Sequence, residues 1–229
     1  APNNPTCGQI GAWGVIGSIV IPVFPQGPIT IQDAINQALD GDVVELQDGT
    51  YTGDGNRDVS FLGKAITVRS ASDNPVNCQI NCEGVDYALH NGFNFTSGEG
   101  PDSILRGITI RNGYFGQGGA VKANNSSLTL ENCHFTANTA GAGGAVFAQD
   151  GDPTITGCEF RDNTLYQNNG YGCALFSNDG VLTLTDCTFY DNGEDFESID
   201  NNKKGGAVGI WDTNLGSQIT GCVFGNNQA

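Results

Sequence analysis

The chain has no methionine, only 9 basic residues against 25 acidic ones, two histidines and two tryptophans. Each shortage excludes something. A formal net charge of −16 repels phosphate backbones and anionic lipid, so nucleic-acid binding, which needs a basic footprint, is excluded. The least polar stretch, residues 10–24, is too short and too broken by glycine and proline to span a membrane as a helix. Long amphipathic runs are scarce, which argues against a helical protein. The acidity fits solubility in an extracellular medium. Cation binding would need convergent carboxylates, which the sequence alone does not place.

What the chain has in excess is turn chemistry: 34 glycines among many asparagines and aspartates. Glycine and asparagine tolerate left-handed backbone, so the chain turns often, as an all-β protein does. Its 229 residues are enough for one large domain or two small ones, and enough to bury a sizeable core. The numbering opens Ala1-Pro2-Asn3, without an initiator methionine or a basic leader. That start reads as a mature secreted product after signal-peptide removal, although an arbitrary start point is equally compatible.

A repeat organises the second half. Phe-x-x-Asn occurs at Phe135–Asn138, Phe160–Asn163, Phe189–Asn192 and Phe224–Asn227, and each Phe follows a cysteine by two positions: Cys133, Cys158, Cys187 and Cys222. Gly-Gly-Ala-Val or a close variant recurs at 118–121, 143–146, 172–175 and 205–208. The cysteines are 25, 29 and 35 residues apart, and the extra residues fall between Asn163 and Gly172 and between Asn192 and Gly205. Those inserts are polar, as surface loops are. A solenoid accepts insertion at one recurrent point because each coil touches only its neighbours.

Within a repeat, runs such as Ser127–Glu131 and Val181–Thr185 alternate apolar and polar residues, the mark of a strand with one buried face. Short strands joined by Asn/Gly turns at this period predict an all-β, single-stranded right-handed parallel β-helix of about eight coils over residues 30–229. Equivalent residues then lie about 4.8 Å apart along the axis. Phe135, Phe160, Phe189 and Phe224 should form an internal aromatic column. Asn138, Asn163, Asn192 and Asn227 should form an amide ladder at a turn, and the glycine pair should permit a tight bend.

Residues 31–40 read as one amphipathic helix that caps the open core, with Thr30 as N-cap and Asp33 three positions on. Its apolar stripe is Ile31, Ala34, Ile35, Ala38 and Leu39, and Gly41 ends it. Residues 1–29 carry no repeat and read as an extended arm. Two readings stay open: the arm, through Val15, Ile16, Ile19, Ile21 and Phe24, adds a strand to a neighbouring copy, or it packs along its own solenoid. The last repeat motif lies close to the final residue, with no capping coil visible.

Eight cysteines suggest disulfides in a secreted chain. Cys78 and Cys82 could close a small loop, and Cys7 could tether the arm. The four repeat cysteines have parallel Cβ directions, poor disulfide geometry, and read as buried small hydrophobes. No repeated C-x₂₋₄-C pair marks zinc.

Together these motifs resemble known families. The Gly-Gly-Ala-Val and Phe-x-x-Asn pairs resemble the repeats of chlamydial polymorphic outer-membrane protein passengers. The opening Ile31-x-x-Ala-Ile-x-x-Ala, with Gly49-Thr-Tyr51 and Lys64-Ala-Ile-Thr-Val-Arg69, resembles the start of pectin-lyase-like β-helix proteins. The resemblance covers about residues 30–229. It implies a secreted or cell-surface location and, for the surface passengers, adhesion or self-association; no C-terminal membrane barrel is present, so autotransport is not implied.

Enzymes of this fold cleave polysaccharides with acidic and basic residues in an outer groove. The polygalacturonase motifs Asn-Thr-Asp, Asp-Asp, Gly-His-Gly and Arg-Ile-Lys do not occur here. His134 reads as an outward strand residue, and no catalytic residue is assigned. Lyase chemistry would need Ca²⁺ and an arginine base; the best candidate is the loop holding Asp54, Arg57 and Asp58, which a plain turn explains as well. The sequence reading is therefore a structural or adhesive β-helix that self-associates head to tail. A polysaccharide lyase, hydrolase or carbohydrate-binding module is the alternative, with a polysaccharide or host-surface ligand.

Overall fold

A computed structural model describes residues 17–166, 170–193, 206–211 and 216–228. Every strand pair between coils is parallel and in register. The first sheet has eight strands: Val20–Val23, Val43–Leu46, Thr67–Ser70, Ile104–Arg106, Thr129–Glu131, Thr154–Thr156, Thr183–Thr185 and Gln218–Thr220. The second has seven: Gly49–Tyr51, Cys78–Asn81, Thr109–Arg111, His134–Thr136, Glu159–Arg161, Thr188–Tyr190 and Val223–Gly225. The third has six: Val59–Ser60, Phe93–Phe95, Val121–Asn124, Val146–Gln149, Leu175–Asn178 and Val208–Trp211. A short fourth sheet joins Tyr114–Phe115, Thr139–Ala140 and Thr164–Leu165 between the second and third. The chain visits the sheets in turn, which is the path of a right-handed parallel β-helix.

Residues one coil apart lie over one another. Phe135, Phe160, Phe189 and Phe224 pair in sequence, with ring centroids 4.9, 4.5 and 4.9 Å apart and stacked planes. Beside them, the backbone N–H of Cys133 donates to Cys158 Sγ, that of Cys158 to Cys187 Sγ and that of Cys187 to Cys222 Sγ, each at 3.4 Å. Asn138, Asn163 and Asn192 are fully buried. Each side-chain amide bridges to the next Asn Oδ1 and to a carbonyl of the previous coil. The ladder thereby satisfies polar groups at a corner that no strand reaches.

The corners explain the composition. Asn112, Ala137, Asp162, Asp191 and Asn226 have positive φ, as do Asn125, Asp150 and Asp179 at the next corner. These are left-handed positions, for which Asn, Asp and Gly are the ordinary occupants. Part of the acidity is therefore turn chemistry, a source that charge counting did not separate from solubility. At the Gly-Gly bend, Gly143 has φ 56°, and a Cβ on Gly144 would run into the carbonyl oxygen of Cys173.

The helix covers Ile31–Gln37, shorter than the expected 31–40. The capping box is present: Thr30 Oγ1 accepts from Asp33 N–H and Asp33 returns a bond to Thr30 N–H. Ile31, Ala34, Ile35 and Ala38 are buried, but Leu39 is exposed. Lys64 ends the helix by donating to the carbonyls of Ile35, Asn36 and Ala38 at 2.6–3.1 Å. That is a C-terminal cap supplied by the next coil. Asp42 accepts from Leu39 N–H and Ile19 N–H, bonds that hold its carboxyl below the usual range.

Of the two readings of the arm, residues 20–23 follow the one in which it packs along its own solenoid: Val20–Val23 forms the first strand of the first sheet, parallel to Val43–Leu46 of the same chain. Ile21 lies in that strand and packs partly on the core, whereas Ile19 and Phe24 at its ends are about half exposed; Val15, Ile16 and Cys7 lie outside the described residues. One expectation needs correction, the Cys78–Cys82 bridge. Cys78 and Cys82 are free and buried, not disulfide-bonded. They begin and follow the strand Cys78–Asn81, and four residues of extended chain separate their Cα atoms by about 13 Å, beyond disulfide reach. Burial pushes the Cys78 thiol up to about 12.

Candidate functional site

The Asp54–Asp58 loop is held by ion pairs. Arg57 pairs with Glu83 at 2.8 Å and with the exposed Asp54 at 3.3 Å. Asp58 instead lies 2.6 Å from His90 Nδ1 and accepts from Asn91 N–H. The two candidate calcium ligands thus have different neighbours, and among the described residues no three His, Cys, Asp or Glu side chains are grouped to hold a metal ion.

His134 lies on the outer face of the second sheet, between Thr109 and Glu159. It lines a shallow groove of about 200 Å³ with Gln79, Arg111, Glu159 and Arg161. Partial burial lowers its pKa, opposed by the Glu159 carboxylate. Glu159 is the one carboxylate among the described residues that line this groove, and Arg161 pairs with it at 3.1 Å. Glycoside hydrolysis needs a pair of carboxylates, and the described lining supplies one.

A different arrangement stands on the outer face of the third sheet. The strands there follow the Gly-Gly-Ala-Val bend, which brings each back into register with the last. Two rows therefore run along the rod axis: Lys122, Phe147, Phe176 and Gly209, and beside them Asn124, Gln149, Asn178 and Trp211. Phe147 and Phe176 are nearly buried and form a floor. Tyr171 stacks on Phe176 at 5.1 Å, and Trp211 tilts against Tyr171 at 5.8 Å while remaining 56% exposed. With Gln117, Gly141 and Ala142, these residues line a groove of about 370 Å³. Gly116 and Gly141 stand where Tyr166 stands in the later coil, and the Tyr166 ring reaches back to stack on Tyr114 at 5.1 Å.

Among the described residues the groove lining contains aromatic rings, amides and small residues, and no carboxylate, histidine, lysine or arginine. The side chains of Gln117, Gln149 and Asn178 make no hydrogen bond to another described residue and are not buried without a partner. Their donors and acceptors face the groove's solvent, unlike the ladder asparagines, whose amides are used internally. Aromatic floors with a few convergent polar groups are the usual composition of a ligand site.

Sequence reading assigned none of these residues. The signal was present in Val146-Phe-Ala-Gln149 and Leu175-Phe-Ser-Asn178: Phe147 and Phe176 occupy the phase that strand alternation reserves for polar, outward residues.

A family model described as a right-handed β-helix region matches residues 47–228. No curated protein and no solved structure matches the chain.

Proposed function

Because the chain belongs to the right-handed β-helix family, we propose that it is a non-catalytic, adhesive β-helix, outside the cell or at its surface, that binds carbohydrate in the groove of the third sheet. One observation carries the reading: among the described residues, the groove joins exposed aromatic surface to amides that make no other hydrogen bond, without any carboxylate, histidine, lysine or arginine. Sugars offer both an apolar ring face and hydroxyls that pair with amides as donor and acceptor. Glycoside hydrolysis uses a pair of carboxylates and proton abstraction a positioned general base; the described lining supplies no carboxylate, histidine or lysine for either. Incubation with insoluble polysaccharides tests this: depletion of the protein from solution without release of oligosaccharides supports it. Release of soluble or unsaturated fragments would overturn the non-catalytic reading.

End-to-end association is a second reading, favoured by the last coil. Phe224 is 48% exposed there, and Ile210 and Ile219 are similarly open around a cavity of about 610 Å³. Their strands are the outermost described in their sheets, and an outer strand edge can template pairing with a second copy. Sedimentation across a concentration series tests it: growing rods support association, and a constant monomer opposes it.

A further inference from the structure

The groove's electrostatics and direction go further than carbohydrate binding in general. We infer that its ligand is a neutral glycan chain lying along the rod axis, with sugar rings against Tyr171 and Trp211 and their hydroxyls on Gln149 and Asn178. This rests on the carbohydrate reading above.

Charge decides the class. A uronate or sulfate is recognised by arginine or lysine, through charge-assisted and often bidentate bonds. Among the described residues the groove lining offers none, on a chain whose net charge is −16. An acidic polymer would enter a repulsive field and leave its hydration shell without a paired cation. Lys122 continues the floor row one coil before Phe147, but its Nζ sits over the Phe115 ring at 6.0 Å, outside the lining. An uncharged chain meets neither the repulsive field nor the cost of desolvating a charge.

Direction follows from register. Gln149 and Asn178 are directly paired neighbours, and Trp211 follows in the same row. Their spacing is the coil rise of about 4.8 Å, close to the advance of one sugar ring in an extended chain. Successive rings therefore meet successive coils in the same way. The C–H face of a ring lies against aromatic π faces, which are negative, while its edge meets an amide that both donates and accepts. A ligand across the axis would meet one coil only.

Calorimetry with cellohexaose, mannohexaose, xylohexaose and hexagalacturonate, at low and high salt, tests the inference. The expected result is saturable binding of a neutral hexaose, insensitive to salt, and weakened about tenfold or more by Trp211→Ala and by the Gln149→Ala/Asn178→Ala pair. Trp211 is half exposed, so circular dichroism should show these variants folded. Preferential, salt-sensitive binding of hexagalacturonate that still depends on Trp211 would overturn the neutral class and leave the groove. If no hexaose binds, or if binding is indifferent to Trp211→Ala, both the inference and the carbohydrate reading fail.

Discussion

Asn163 and Asn192, 29 residues apart, share one hydrogen-bonded position: Asn163 Nδ2 donates to Asn192 Oδ1 at 2.9 Å, and Asn163 N–H donates to the same oxygen at 3.1 Å. Asn163 also donates to the Phe135 carbonyl and accepts from Asn138. Each amide thus closes a gap in the coil on either side.

Asn163→Ala should therefore cost about 3 kcal/mol or more, because it strands a buried carbonyl and a buried N–H together. Denaturant unfolding measures it. A cost below about 1 kcal/mol would mean that the ladder is ornamental.

The aromatic column should behave unequally along its length. Phe160 is fully buried between two rings, whereas Phe224 ends the described column half exposed. Phe160→Ala should cost about 3–5 kcal/mol and Phe224→Ala about 1–2 kcal/mol. Equal losses would contradict the stacking order.

The coil was legible because Cys-x-Phe-x-x-Asn names three adjacent positions of one turn, and the insert sites mark where a coil can bulge. The helix N-terminus was legible for the same local reason, Thr30 and Asp33 being a capping box. Its C-terminus was not, because Lys64 ends it from the following coil, a contact no local pattern encodes. The entry of Val20–Val23 into the first sheet was hidden too, since that segment lacks the repeat motif and joins only by backbone pairing. The groove escaped because Phe147 and Phe176 lie outside the Cys-x-Phe-x-x-Asn motif, on outward positions of their strands where the two rings pack together and Tyr171 stacks on Phe176.

The cysteines make a chemical prediction. Among the described cysteines only Cys222 is partly accessible, and Cys78, Cys82, Cys133, Cys158, Cys187 and Cys222 carry free thiols. A thiol reagent should leave these six nearly unlabelled in the native protein and react with them after denaturation. The Cys78 thiol is raised from 9.0 to about 12 by burial, with the Asp48 carboxylate adding to it. The unfolded thiol ionises first as pH rises, so stability should fall from about pH 9 upward. Replacing Cys78 with alanine should reduce that slope.

His134 sets an acid-side slope. Its pKa is lowered by burial from 6.5, so below that pH the unfolded chain takes up a proton that the folded chain resists, and folding weakens. The wild type should lose more stability than His134→Gln between about pH 7 and pH 5. Parallel pH profiles for the two proteins would contradict the burial.

The account depends most on coils that superimpose residue on residue, since the ladder and the groove rows share that register. Nuclear Overhauser spectroscopy on protein with selectively labelled phenylalanine tests it directly. Ring contacts should connect Phe135 with Phe160 and Phe160 with Phe189, whose centroids lie 4.9 and 4.5 Å apart. Absence of those contacts in a folded sample, or cross-strand contacts of the antiparallel kind, would contradict the architecture and the binding groove built on it.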